Sequence, residues 1–245
     1  MINVFGPLPE AVKYLLIANM GLFALSVFMP SPPNPYALDY LKGFLVLVPV
    51  KVFPGLQFWR LATYMFAHGD FAHILFNMLT LWWFGGPLEQ IWGKKKFLTF
   101  YFACGVGAGM ACVPFYYFMG DPTVPILGAS GALFGLLVAF ALIYPNARIY
   151  LMFLVPVKAK WLVLFWMVME LTATVSYSGG SRVASIAHLS GGLIGYLYLR
   201  RFMDLKYYWL RLKTRRKQRA YRVVPGGDDR DNRDDRDNRQ GPWLH

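Results

Sequence analysis

Residues 128–144 read Gly128-Ala129-Ser130-Gly131-Ala132-Leu133-Phe134-Gly135 and then LLVAFALIY, an apolar run that opens on a serine and carries glycines at 131 and 135. From Ser130 to Tyr144 is about 21 Å of helix, short of the roughly 30 Å hydrocarbon layer of a bilayer. Similar apolar runs recur along the chain, six in all, at 13–30, 66–86, 97–119, 128–145, 161–178 and 184–203, each bounded by Pro/Gly turns or short charged loops. The 245 residues are 56% hydrophobic and 16% charged, against about 25% charged in an ordinary soluble domain. That composition excludes a disordered chain, argues against a soluble enzyme, and predicts an all-α membrane protein with six transmembrane helices.

Lysine and arginine near span ends resist translocation and so set orientation. Lys94-Lys95-Lys96 follows the second run, Arg148, Lys158 and Lys160 the fourth, and Arg200 and Arg201 the sixth. All belong on the cytoplasmic side, with both termini inside. The first run ends in Met29-Pro30-Ser31-Pro32-Pro33 with no small-residue cleavage site, so it reads as a retained helix. With no organelle presequence apparent, a bacterial-type inner membrane is expected. The outer loop at 31–65 is rich in proline and aromatics, and its apolar stretch Phe44 to Val50 is expected to lie half in the interface. Ile149 to Val157 is its inner counterpart.

Beyond the membrane domain at 1–205, residues 206–222 carry eight basic residues and no acid. They read as a cytoplasmic juxtamembrane segment that signals topology and holds anionic lipid, at about 1 kcal/mol per residue. Nucleic acid is not an expected partner. Residues 223–245 repeat DDRDNR and predict a disordered tail. Cys104 and Cys112, eight apart on one helix, lie about 12 Å from each other and do not pair.

Polar groups at depth are costly unless solvated or paired, so the few present are informative. His73 and Asn77 are i,i+4 on the second run, Ser130 opens the fourth, and His188 lies about one turn into the sixth. With the orientation above, all four converge on the outer end, where a water-filled cavity is required. Gly131 and Gly135 follow the serine, and Gly191 and Gly195 follow the histidine, at a spacing that lets two helix backbones come together. Such packing would bring a base to a hydroxyl, which is a weak nucleophile until it loses its proton. The Ser130 amide at a helix start, the His73 ring and the Asn77 amide are candidate donors to an oxyanion. No carboxylate is expected at the outer end to orient His188, so the pair reads as a dyad. Glu170, near mid-span, reads as a hydrogen-bonded carboxyl holding the fifth helix, and His68 as loop-end structure. There is no HExxH and no Cys/His cluster, so neither metal nor cofactor is expected.

Together these residues resemble the rhomboid family of intramembrane serine proteases. The likeness rests on Trp59-Arg60, on His68, His73 and Asn77, on Gly-Pro-Leu-Glu-x3-Gly at 86–93, on Gly128-x-Ser130-Gly131, and on Ala187-His188-x2-Gly191-x3-Gly195. It implies a six-helix bundle with an interfacial loop between the first two helices, and an endopeptidase cleaving membrane-anchored substrates in or near their transmembrane segments. It implies Ser130 as nucleophile, His188 as general base and then acid, and His73 and Asn77 with the Ser130 amide as oxyanion partners. Trp59 and Arg60 then belong to the interfacial loop. Glu89 is expected to be a structural hydrogen-bonding residue at the inner end of the second run, counted with Gly128, Gly131, Phe134, Gly191 and Gly195 as structural residues near the site. Phe134 departs from the pattern, since many members have a tyrosine that packs on the histidine. The alternative is a catalytically silent relative that binds transmembrane segments.

Overall fold

The computed structural model describes residues 8–29, 40–151, 155–176 and 180–202. The segments at 206–222 and 223–245, and the expectations attached to them, lie outside these residues. The fold is mostly helical. In chain order come α1 (Glu10–Phe28), three short helices α2 (Tyr40–Leu45), α3 (Pro49–Val52) and α4 (Arg60–Thr63), and a 3-10 turn at Tyr64–Phe66. Next are α5 (Phe71–Thr80), a π-helical stretch at Leu81–Gly85, α6 (Gly86–Trp92) and α7 (Lys94–Met119). The chain continues with α8 (Ser130–Ile143), strands β1 (Arg148–Leu151) and β2 (Val155–Lys158), α9 (Ala159–Ser176) and α10 (Gly180–Phe202).

Among the described residues, α1 and α7 are long and apolar enough to cross a membrane, and α8 is apolar but shorter. Helix α8 is the core of the protein. It is apolar along its length and buries most of its residues, from Gly131 and Ala132 to Phe140 and Ile143, with the Ser130–Phe134–Val138 face only partly covered, which suits a helix packed among others. Its neighbours are α5, α7, α9 and α10. The contact with α10 is backbone to backbone. A Cβ on Gly191 would run into the Gly131 carbonyl, and one on Gly195 would stand 2.8 Å from Gly135 Cα. A Cβ on Gly135 would meet Cys104 of α7 and stand 3.2 Å from the Gly191 carbonyl of α10. The small-residue spacing of the sequence therefore sets the distances between three helices.

Three sequence expectations need correction. The second helical run starts at Phe71, not at 66, because Asp70 takes the N-cap position and accepts a hydrogen bond from the His73 amide at 2.8 Å. The run then passes through the π-helical stretch just before Pro87, where the missing amide hydrogen disturbs the regular ladder. Within the outer loop, the middle of the Phe44–Val50 stretch is buried, and Leu47 forms an antiparallel bridge with Ile126. Phe44, Phe53, Phe58 and Trp59 remain exposed around it. The stretch within 149–157 contributes to two antiparallel strands, β1 and β2, with Arg148 opposite Lys158 and Ile149 opposite Val157. Its β-branched and aromatic residues suit a strand as well as a membrane surface.

Candidate active site

Gly128 leads the chain into α8 with φ +110°, a conformation that L side chains rarely adopt. Its amide donates to the Tyr64 carbonyl at 2.9 Å. Tyr64 is itself buried, and its hydroxyl donates to the Gly105 carbonyl at 2.7 Å. One tyrosine thus ties the end of the outer loop to α7 and to the entry of α8. Ser130 is then the first residue of α8 and half-buried. Its amide is among the helix-start N–H groups that intrahelical bonding leaves over.

The second anchor is on α10. The Gly131–Gly191 contact brings the Ala187 carbonyl to 3.3 Å from where a Gly131 Cβ would stand. His188 follows Ala187, and its ring lies flat on Phe134, with centroids 4.2 Å apart and planes 9° from parallel. Phe134 is one turn beyond Ser130 on the same face of α8. His188 is therefore held on the serine's side of that helix.

His188 also has a carboxylate partner, contrary to the sequence expectation. Nδ1 lies 2.8 Å from Glu170 Oε1 on α9, and the two side chains are 15% and 21% exposed. Ser185 hydrogen-bonds to the same carboxyl. Sequence reasoning placed Glu170 at mid-span and His188 near the outer end, as though at different depths. Counted along the helices, however, Glu170 is about 9 Å before the end of α9 at Ser176 and His188 about 12 Å beyond the start of α10 at Gly180. They share a level. With Nδ1–H donated to a carboxylate, Nε2 is left as the basic nitrogen.

A third element, α5, carries His73 and Asn77. The Gly69 amide donates to His73 Nδ1 at 3.4 Å, so the ring's proton resides on Nε2. A Cβ at Gly128 would stand 2.7 Å from His73 Nε2 and 3.8 Å from Ser130 Oγ. An N–H donor and the serine hydroxyl thus flank one point, kept open by the absence of a side chain at 128. Asn77 is buried, and its amide donates to the His73 carbonyl at 2.8 Å. One Nδ2 hydrogen is used there, and the second is left for another acceptor. His68 precedes α5 and is buried, with its ring edge against His73 at 5.1 Å. It packs on the site from the loop.

The remaining residues have other placements. Arg60 is buried and donates to the Gly43 and Val46 carbonyls, while Trp59 stacks on Phe44 at 5.6 Å. These contacts hold the outer loop in shape. Glu89 is not beside the site. It accepts from the Ala11 and Val12 amides at 2.8 Å each, and so caps α1. It lies about four helical turns beyond His73. Sequence reasoning missed Tyr64 entirely, and only its position between the Trp59-Arg60 pair and His68 hinted at it.

Residues 55–204 match the Rhomboid domain family. The chain is 34% identical over 223 residues to Rhomboid protein 1, mitochondrial, of Saccharomyces cerevisiae, covering 89% of this chain and 58% of that protein. It is 28% identical over 199 residues to RHOMBOID-like protein 12, mitochondrial, of Arabidopsis thaliana, covering 76% and 56%. With Rhomboid protease AarA of Providencia stuartii it shares 26% over 205 residues, covering 75% and 69%. The chain spans a little over half the length of the first two relatives. Both are mitochondrial by name, so similarity does not support the bacterial-type inner membrane expected from the sequence.

Proposed function

The chain belongs to the rhomboid family and is an integral membrane protein, and on that premise we propose that it is a serine endopeptidase cleaving peptide bonds in or near transmembrane segments of membrane-anchored substrates. Helices α1, α5 to α6, α7, α8, α9 and α10 are its six spans, and both termini are cytoplasmic by the lysine and arginine distribution. The short helices at 40–63 form the interfacial loop.

Ser130 Oγ attacks the scissile carbonyl while His188 Nε2 takes its proton. The oxyanion that forms accepts from the Ser130 amide, from His73 Nε2–H and from the second Asn77 Nδ2 hydrogen. When the tetrahedral intermediate collapses, His188 returns the proton to the leaving amine. Water then hydrolyses the acyl-enzyme by the same two steps. The substrate must offer an unwound stretch, because a helix keeps its carbonyls in its own hydrogen bonds. Small or helix-breaking residues near its outer end satisfy that need.

The observation that carries this reading is the seating of His188 on Phe134, one turn from Ser130, with its Nδ1 already engaged. The test is cleavage of a model single-span substrate by the purified full chain. Wild type cuts it, and Ser130→Ala and His188→Ala do not. Undiminished cleavage by either variant overturns the reading.

A further inference from the structure

A carboxyl group on a membrane-embedded helix is retained at a cost, and its partners indicate its use. Glu170 has two, the His188 ring at 2.8 Å and the Ser185 side chain. Phe134 fixes the plane of the imidazole but offers it no polar hold, so rotation within that plane is unconstrained by stacking alone. The Glu170 contact removes that freedom. It also selects the tautomer with the proton on Nδ1, the only one in which Nε2 can accept a proton from a hydroxyl.

We propose that Glu170 is a positioning residue for His188, which makes the site a Ser130–His188–Glu170 triad and not a dyad. The inference rests on the protease reading above. In the step where Nε2 takes the Ser130 proton, the ring becomes an imidazolium. The Oε1 atom 2.8 Å from Nδ1 then faces a full positive charge, and a charge-assisted hydrogen bond strengthens as that charge develops. Glu170 keeps its own charge throughout and passes no proton on. The carboxylate comes from α9 and the histidine from α10, so α9 must be packed against α10 for the base to be held.

The test compares full-length wild type, Glu170→Gln, Glu170→Ala and Ser130→Ala in lipid nanodiscs on the same single-span substrate. Glu170→Ala is expected to lower kcat roughly ten- to a hundred-fold, the range set by one hydrogen bond to a charged group, with KM within about twofold. Glu170→Gln keeps an acceptor oxygen at similar reach and is expected to recover part of the loss. A carboxyl that only fastens α9 to α10 would change KM or thermal stability and leave kcat alone. Nitrogen-15 histidine NMR supplies a readout without turnover: a low-field Nδ1 proton, present in wild type, is lost in Glu170→Ala and in His188→Ala. If kcat in both Glu170 variants stays within twofold of wild type while Ser130→Ala is dead, the positioning role is overturned and the protease reading stands. If Ser130→Ala cleaves like wild type, the reading fails and the triad with it. Should Glu170→Ala not fold, the Gln variant and the wild-type Nδ1 resonance decide the matter.

Discussion

Phe134 and His188 lie face to face across the α8–α10 contact, ring centroids 4.2 Å apart and 9° from parallel. Stacking of this kind is worth about 0.5–1.5 kcal/mol beyond the area it buries. Phe134→Ala is therefore expected to slow cleavage of a single-span substrate by about two- to tenfold. Phe134→Tyr keeps the ring face and should stay near wild type. Equal rates for Phe134→Ala and wild type would mean that the stacking does not hold the base.

The donor role of His73 predicts a different pattern. His73→Ala removes the Nε2–H beside Gly128 and, on the proposed oxyanion role, should lower kcat by about 10²–10³-fold with little change in KM. A loss confined to KM would assign His73 to substrate binding instead.

Gly128→Ala tests the same point from the loop. The new Cβ would stand 2.7 Å from His73 Nε2, on a residue at φ +110°. The variant is expected to lose most of its activity and part of its stability, since the local backbone disfavours any side chain. Activity equal to wild type would show that the Gly128–His73 approach is unimportant.

Helix contacts give a stability prediction independent of catalysis. Gly191→Ala directs a methyl at the Gly131 carbonyl, and Gly195→Ala puts one 2.8 Å from Gly135 Cα. Each should cost about 1–3 kcal/mol, the usual range for overpacking, read as a lowered thermal midpoint in lipid. Gly21→Ala, with nothing within 4 Å, is the control and should be neutral or slightly stabilising. Equal midpoints for all three would contradict the backbone contact.

Glu89 separates structure from chemistry. Its carboxyl accepts the Ala11 and Val12 amides, and Glu89→Ala leaves both without that partner. A stability loss of about 1–3 kcal/mol is expected, with kcat per folded molecule unchanged. A selective fall in kcat would place Glu89 in the chemistry after all.

The legible part of the site was the part written in spacing. Four glycines at intervals of four announced which faces of α8 and α10 meet, and with them the side of α8 on which His188 lies. His73 and Asn77 were legible through the i,i+4 rule, which also explains why the Asn77 amide reaches back to the His73 carbonyl. Three-dimensional depth was harder to read. Glu170 and His188 meet because they lie at nearly equal distances from the end of α9 and the start of α10, which span edges accurate to a few residues do not resolve. Tyr64 escaped for another reason: its work is done by a carbonyl and a hydroxyl that reach residues 41 and more positions away. The strand pair β1–β2 was hidden by its brevity, since a short apolar run fits strand, helix or interface alike.

Covalent trapping tests the central claim most directly. Wild-type protein in lipid is treated with a fluorophosphonate, the labelled residue is located by peptide mass spectrometry, and the labelling rate is compared with that of His188→Ala. The account predicts modification at Ser130 and a rate at least a hundredfold slower without the histidine, within the range of general-base catalysis. Label absent from Ser130, or an equal rate in His188→Ala, would contradict it.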